Sequence, residues 1–550
     1  MFTLYSCSFF LIIFSTPNPY EATCPAKLQF RGSNNGAKLE FRATFSKELS
    51  MNIRVWKSTA YGEVSDVHVL WVYDGGELFA PRMPLDRETQ AMLQMLLEDQ
   101  ELSGKFGEIY MTNLARNIKP KKLLLLGLGQ KNELTFERIR KLTGKAIKEL
   151  NKSKAQSAHL SFVGAENSSL PLAELVKVTA ETAILANYRF KKYLSQDETS
   201  QIERLDIVCG DEQEPEYQVA VAEGILLGQA VTAARDLVNE PANGLTPVKL
   251  AEAAQQAGAE YGFEVAVYDE RQIEAIGMKA FLEVGKAAIN PPRLIVMKYT
   301  GNPQKPEEIL GFIGKGLTYD SGGLSLKSKD SMVNMKDDMA GAAAVISAMS
   351  AIARAKLHTN ITAVVAACEN MVSATGYRPG DIIGTMAGKS VMIKSTDAEG
   401  RLTLADAVYY IVQKECAKRV IDLATLTGAA TSALGRLVTA AMANNDAWYQ
   451  QVEQASQLSG ERLCRIPLVE EYKELLKSDV ADLINSAGAN GPNMILAGLF
   501  IGEFIPDTPW VHLDIAGTSW AEKESDYLTP GGTGVGAKTL YYLAKLSDQK

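Results

Sequence analysis

Residues 314–341 read GKGLTYDSGGLSLKSKDSMVNMKDDMAG, and the architecture turns on what they are. The apolar run 309–313 just before them reads as a short buried strand that ends at Gly314-Lys315-Gly316. Gly322-Gly323 follows soon after Asp320, and paired glycines allow a tight turn beside something bound. Lys315, Asp320, Lys327, Asp337 and Asp338 crowd the space between this strand and an Ala-rich run, 339–355, that predicts a helix. Buried charges must be paired or must hold a metal. The expectation is a cation site at the end of a strand.

A second stretch has the same grammar. Residues 391–394 predict a strand, 395–402 read STDAEGRL, and 402–416 predict a helix. Charged residues after a strand and before a helix sit where open α/β sheets bind ligands. Asp320, Asp338, Asp397 and Glu399 supply carboxylates and Lys315 an amine, a donor set that suits Mn, Mg or Zn. Four carboxylates would balance two divalent ions, and two ions roughly 3.5–4 Å apart polarise a carbonyl and activate water. Lys327 and Arg401 remain as cations for charge in the transition state. The competing reading is a set of surface salt bridges at loop ends. The four histidines, His68, His159, His358 and His512, all lie outside the two stretches.

Working outward, 550 residues allow two or more domains. A hydrophobic content of 46% and a charged content of 22% are ordinary for a globular chain. The net charge of −8 argues against nucleic acid as the main partner but leaves room for a local basic patch such as Lys119-Pro120-Lys121-Lys122. No apolar run reaches the ~18 residues of a membrane span. None of the six cysteines forms a CxxC, so buried free thiols of a cytoplasmic protein are expected.

Residues 1–50 read as a non-native or disordered extension. No basic residue precedes the apolar patch 9–14, as a secretory signal would require. Lys47-Glu48 can be encoded by AAGGAG, a spacing upstream of Met51 that fits a ribosome-binding site, so the natural start is expected at Met51. Residues 51–213 predict an N-terminal α/β domain, with strands over 66–73, 122–128, 160–163 and 205–209 and helices over 89–99, 136–151 and 172–187. The acidic stretch 211–216 reads as a solvated boundary loop. Residues 214–550 predict the catalytic domain, a mixed, largely parallel sheet flanked by helices. Its helices are expected over 217–238 and 247–261, and its strands over 264–268, 294–299, 310–313, 361–367, 391–394, 420–423 and 511–515.

Both charged stretches resemble signatures of the leucyl aminopeptidase family, the cytosol aminopeptidases. STDAEGRL is similar to that family's NTDAEGRL, and Lys315, Thr318 to Gly323, Lys327 and Asp338-Met339 follow its second pattern. Further similar segments are ARDLVNEPAN (234–243), PPR (291–293), ENM (369–371), RPGD (378–381), DLATLTGA (422–429) and HLDIAGT (512–518). The resemblance is dense over 220–545 and weak over 51–213. It implies a metal-dependent exopeptidase that releases N-terminal residues, leucine or other apolar residues first, from peptides.

It also implies roles. Lys315, Asp320, Asp338 and Glu399 would hold a tight metal, and Asp320, Asp397 and Glu399 an exchangeable one, Mn or Zn. Lys327 would polarise the scissile carbonyl, and Arg401 would hold a bicarbonate general base. Met335, Thr425, Leu426 and Gly428 would line the substrate pocket, and the chain would assemble as a homohexamer. Ser395, Ala340 and Gly285-Lys286-Ala287-Ala288 depart from the family pattern without removing a catalytic group. A DNA-binding role, a catalytically dead relative and a two-metal amidase with a non-peptide substrate are the alternatives.

Overall fold

The computed structural model describes residues 51–548 except 58–64, 81–84, 99–101, 115–119, 166–167, 197–198, 211–213, 489–490 and 506. The reading of residues 1–50 lies outside the described residues, as do Lys119 and the first half of the acidic stretch at 211–216.

Continuous apolar runs become strands buried on both faces, because helices cover each sheet twice. The first sheet contains β1 (Asn52–Lys57), β2 (Val67–Tyr73), β3 (Ile109–Asn113), β4 (Lys122–Gly129), β5 (Ser157–Ser161) and β6 (Arg204–Cys209), in the order β1-β6-β5-β2-β4-β3. Its pairs are parallel except the β3–β4 edge. Helices α1 (Arg87–Glu98), α2 (Phe136–Lys152) and α3 (Leu172–Asn187) belong to this domain. Strand β5 lies three residues before its expected start, because Ser157 and His159 are buried in it despite their polarity.

Helix α4 (Glu214–Asn239) leads into the second domain. It begins three residues before its expected start, so Glu214 and Glu216 lie in its first turn and not in a loop; acidic groups there favour the helix dipole. The second sheet has the order β15-β14-β17-β13-β9-β10-β8-β7. Along the chain these are β7 (Glu264–Tyr268), β8 (Arg293–Thr300), β9 (Ile309–Asp320), β10 (Asn360–Asn370), β13 (Arg419–Ala424), β14 (Thr439–Ala443), β15 (Leu463–Arg465) and β17 (Trp510–Asp514). Its centre, β17-β13-β9-β10, is parallel, and the pairs β10–β8, β8–β7 and β14–β17 are antiparallel. A small separate sheet joins β11 (Ile382–Gly384), β12 (Ser390–Met392) and β16 (Leu483–Ile484).

The remaining helices are α5 (Pro247–Tyr261), α6 (Glu270–Ile276), α7 (Lys279–Gly285), α8 (Lys329–Met332), α9 (Ala340–Ala355), α10 (Gly400–Gln413), α11 (Gly428–Leu434), α12 (Asp446–Ser459), α13 (Asn493–Gly502) and α14 (Ala537–Asp548). One apolar core packs α5, α9, α12 and α14 on one face of the large sheet, and a second packs α7, α10 and α13 on the other. The start of α5 follows its sequence: Pro247 opens it and the Thr246 hydroxyl accepts a hydrogen bond from Lys249 N.

Three further expectations need correction. Strand β9 does not stop at Ile313 but runs to Asp320, so Lys315 is a strand residue. Gly314 permits this by close approach: a Cβ there would lie 2.6 Å from the Ala342 backbone, because the first turn of α9 rests on the strand. The strand expected at 391–394 is Ser390–Met392, and it belongs to the small sheet. The helix expected at 402–416 starts at Gly400 and ends at Gln413, which leaves Cys416 exposed at φ 57°. Cys209 and Cys368 are buried as expected, and Cys464 is half-buried. Among the described residues no helix is long and apolar enough to cross a membrane.

Candidate metal site

The carboxyl ends of the parallel strands β9, β10 and β13 meet at one place, where an open sheet of this kind binds its ligands. Asp320 ends β9. The β9–β10 register slips at Cys368/Glu369, and the slip pairs Asp320 with Asn370. Asn370 Nδ2 donates to Asp320 Oδ1 at 2.8 Å and to Thr396 O at 2.9 Å. Gly322 N donates to the same Asp320 oxygen at 2.8 Å, in a turn where Gly322 and Gly323 take φ 84° and 63°. These contacts fix one carboxylate against the second charged stretch.

Lys315 lies under that carboxylate and is almost wholly buried. Its Nζ reaches Asp338 Oδ1 at 2.7 Å, Glu399 Oε1 at 3.0 Å and Thr425 O at 3.0 Å. Gly400 makes room for it, since a Cβ there would lie 2.7 Å from the Nζ. Thr425 Oγ1 donates to Asp338 Oδ1 at 2.8 Å. Lys327 approaches from the open side, 2.8 Å from Asp320 Oδ2 and 2.5 Å from Asp397 Oδ1. The Asp397 side chain is 37% exposed, so the cluster opens to solvent there.

Arg401 is buried in the first turn of α10, and its Nη1 donates to Asn485 O at 2.9 Å. The Asn485 side chain laces the loop before it: Oδ1 accepts from Lys394 N at 2.8 Å and Nδ2 donates to Ser395 O at 2.6 Å. Ser395 Oγ accepts from Asp397 N at 3.2 Å, so this serine itself closes the turn that carries Asp397. Ala340 opens α9 and is buried.

The charges are out of balance. Burial pushes the Asp320 carboxyl up to about 6, Glu399 adds to that, and Lys327 and Lys315 oppose it. Burial raises Asp338 well above the carboxylate range and also raises Asp397. Burial would raise Glu399 too, but Lys315 and Lys327 hold it below its ordinary value. Burial would lower both lysines, yet Asp338 and Glu399 hold Lys315 up, and Asp320 and Glu399 hold Lys327 up. Asp338 Oδ2 and Glu399 Oε2 are buried without a hydrogen-bond partner. Oxygen atoms of Asp320, Asp397 and Glu399 lie within 4.8 Å of one another. Orphaned carboxylate oxygens inside a protein are costly, and converging hard oxygen donors fit divalent cations.

Lys315, Asp320, Lys327, Asp338, Asp397 and Glu399 are thus in direct contact within one cluster, Arg401 is tied to its loop, and Asp337, also singled out by the sequence, is buried in the turn beside them without a side-chain bond to the cluster. Of the expected pocket residues, Thr425 is part of the cluster itself. Leu426 is half-buried, with its N–H on Asp514 at 3.2 Å. Gly428 opens α11 facing open space, and Met335 lies in the turn Met335–Asp337 just before Asp338. Sequence reasoning missed Asn370 and Asn485. The first lies in the ENM segment, a signal that pointed to it without a role; a lone amide such as Asn485 carries no signal of its own.

Residues 232–541 match the catalytic domain of the Cytosol aminopeptidase family, and residues 69–197 its N-terminal domain. A probable cytosol aminopeptidase of Clostridium perfringens (strain 13 / Type A) is 47% identical over 463 residues, covering 84% of this chain and 93% of that protein. One from Treponema denticola is 44% identical, over 82% of this chain and 94% of its own length. Among solved structures, the bottromycin maturation enzyme BotP in complex with Mn superposes with a TM-score of 0.78 at 30% identity, covering 88% of this chain and all of that one (100%). With both domains matched in order, the chain belongs to the cytosol aminopeptidase family and is a metallo-aminopeptidase, a hydrolase that removes N-terminal residues.

Proposed function

We propose that the cluster holds two divalent ions, Mn or Zn, and that the chain releases N-terminal leucine and other apolar residues from peptides. The observation that carries this is the surplus of carboxylate: four acidic groups, three of them buried, converge on two lysines, and two buried oxygens lack partners. Lys315, Asp320, Asp338 and Glu399 would hold one ion, and Asp320, Asp397 and Glu399 the other. Bound there, the ions would supply Lewis-acid polarisation of the scissile carbonyl and a nucleophilic water at neutral pH.

The chain's own groups do the rest. Lys327 sits on the open side and reaches both Asp320 and Asp397. We assign its ammonium to the carbonyl oxygen that gains charge in the transition state, where a preorganised donor has most effect. Arg401 keeps a buried Nε without a partner, and we assign it to holding an anion, bicarbonate, that would supply a general base. Thr425 orients Asp338 and Lys315 together. Met335, Leu426 and Gly428 would receive the side chain of the released residue. We further assign the chain to the cytoplasm and to a homohexamer, with the domain boundary at 213/214, where α4 begins.

A panel of aminoacyl anilides and dipeptides, assayed with and without added Mn, tests this reading. Leucyl and methionyl substrates should turn over fastest, N-acetylated ones not at all, and a chelator should stop the reaction until Mn, Zn or Co is restored. Cleavage by a metal-free preparation would end it.

A further inference from the structure

The segment ARDLVNEPAN at 234–243 takes no part in the chemistry above, yet its Arg235, Asn239 and Glu240 are among the buried polar groups of the chain. It forms the last turn of α4 and the residues just beyond it, and this junction touches both domains. On one side stands 188–193, which follows α3 in the N-terminal domain. Tyr188 OH donates to Asp236 Oδ1 at 2.8 Å and accepts from Asn239 Nδ2 at 3.2 Å. Lys192 Nζ reaches Glu240 Oε1 at 2.9 Å, and Tyr193 OH donates to the same oxygen. On the other side stands the turn Met335–Asp337. Its Lys336 Nζ donates to Asn239 O at 2.6 Å. An ammonium on a carbonyl at the end of a long helix meets the negative end of its dipole as well.

Lys336 is held on other sides too. Its Nζ lies 5.7 Å from the centre of the Trp520 ring, and Asn239 Oδ1 accepts from Gly532 N at 2.8 Å. Burial lowers the Lys336 ammonium, while Glu240 and Asp337 oppose the shift. Glu240 is a buried carboxylate in this link and is gripped by two N-terminal-domain side chains, Lys192 and Tyr193. Met335 immediately precedes the anchored lysine and Asp338 follows two residues later.

We propose that Lys336 and Glu240 are positioning residues through which the N-terminal domain sets the Met335 turn, and with it the pocket's preference for an apolar N-terminal residue. The proposal rests on the assignment of Met335 to that pocket. It gives the N-terminal domain, which contributes no side chain to the metal cluster among the described residues, a part in substrate selection.

The test uses the full metal-loaded chain with Lys336→Met, Lys336→Arg and Tyr193→Phe. Lys336→Met keeps the apolar stem and loses a charged hydrogen bond. KM for a leucyl anilide should rise about tenfold, kcat should stay within about twofold, and the preference for leucyl over alanyl substrate should shrink. Metal content should not change, and Lys336→Arg should recover most of the loss. Tyr193→Phe should move the same quantities in the same direction by about threefold. Amide hydrogen exchange over 333–338 should quicken in Lys336→Met and in Tyr193→Phe. Unchanged exchange there in both variants overturns the proposal, as does a loss of activity that follows loss of metal. If Lys336→Met does not fold, Tyr193→Phe decides alone. If the unaltered chain does not favour leucyl substrates, the pocket assignment fails, and the exchange measurement still decides whether the N-terminal domain holds this turn.

Discussion

Each domain buries carboxylates at the heart of a parallel sheet, but they are neutralised in opposite ways. In the N-terminal sheet Asp206 is fully buried on β6. Arg54 Nε lies 2.8 Å away, Arg204 Nε 2.9 Å and His159 Nε2 3.0 Å. Burial would raise this carboxyl, but His159 and Arg54 hold it below its ordinary value. In the catalytic sheet four carboxylates face two lysines, and burial drives Asp320 and Asp338 upward. The first arrangement sets two arginines and a histidine around a single carboxylate, so it lacks no positive charge. The second is short of positive charge and needs something from outside. Buried charge alone does not mark a site; an unpaid imbalance of sign does.

The comparison breaks first if the catalytic cluster does not depend on metal. Asp320→Ala and Glu399→Ala should abolish measurable turnover and lower metal affinity beyond the ~10–100-fold that even an outer partner of a ligand costs. Metal analysis after dialysis reads this. Metal affinity should also fall as pH drops through about 6, because the raised Asp320 carboxyl takes up its proton there. The sign for the metal-free chain is the reverse. A carboxyl whose pKa is raised on folding stabilises the fold at low pH and loses that contribution as pH rises through about 6. In the chelated state the unaltered chain should therefore lose more Tm between pH 5 and pH 7 than Asp320→Asn does, a difference that thermal melts read.

Next in size is Lys327→Ala. It should keep its metals and a near-normal KM while kcat falls ~10²–10³-fold. Loss of metal in step with activity would make Lys327 a structural counter-ion like Arg54. Arg401→Ala should cost less, about 10²-fold in kcat, and added bicarbonate should no longer stimulate it. Smallest for catalysis is Asp206→Asn. It should leave kcat per folded molecule and metal content unchanged while lowering unfolding free energy by about 3 kcal/mol, the low end for breaking a buried pair, because both arginines reach solvent. A drop in kcat there would erase the contrast between the sheets.

Much of this was legible in the sequence because the charged residues of the cluster lie in two short stretches. The buried strands showed as apolar runs, and the charged loops stood out against them. Strand β9 was cut short because Gly314, Lys315 and Gly316 interrupt its apolar run. Lysine is acceptable there only because Asp338, Glu399 and Thr425, from other parts of the chain, surround it. A strand at 391–394 was legible, but its place in the small sheet depends on β16, some ninety residues further on, and carries no local signal. Asn370 and Asn485 are single amides whose partners lie in other segments, so only the folded chain gives them a task.

The distances along the chain between partners in the cluster are long. Lys315 and Thr425 are 110 residues apart, Asp338 and Thr425 87, and Arg401 and Asn485 84. Closing such loops costs chain entropy before any contact repays it. The cluster therefore cannot exist in a partly collapsed chain; it forms only when β9, β10 and β13 have docked. Metal should bind after the rate-limiting step of refolding, leaving the folding rate unchanged and slowing only unfolding, so that the ion acts as a latch on a finished structure and not as a template for it.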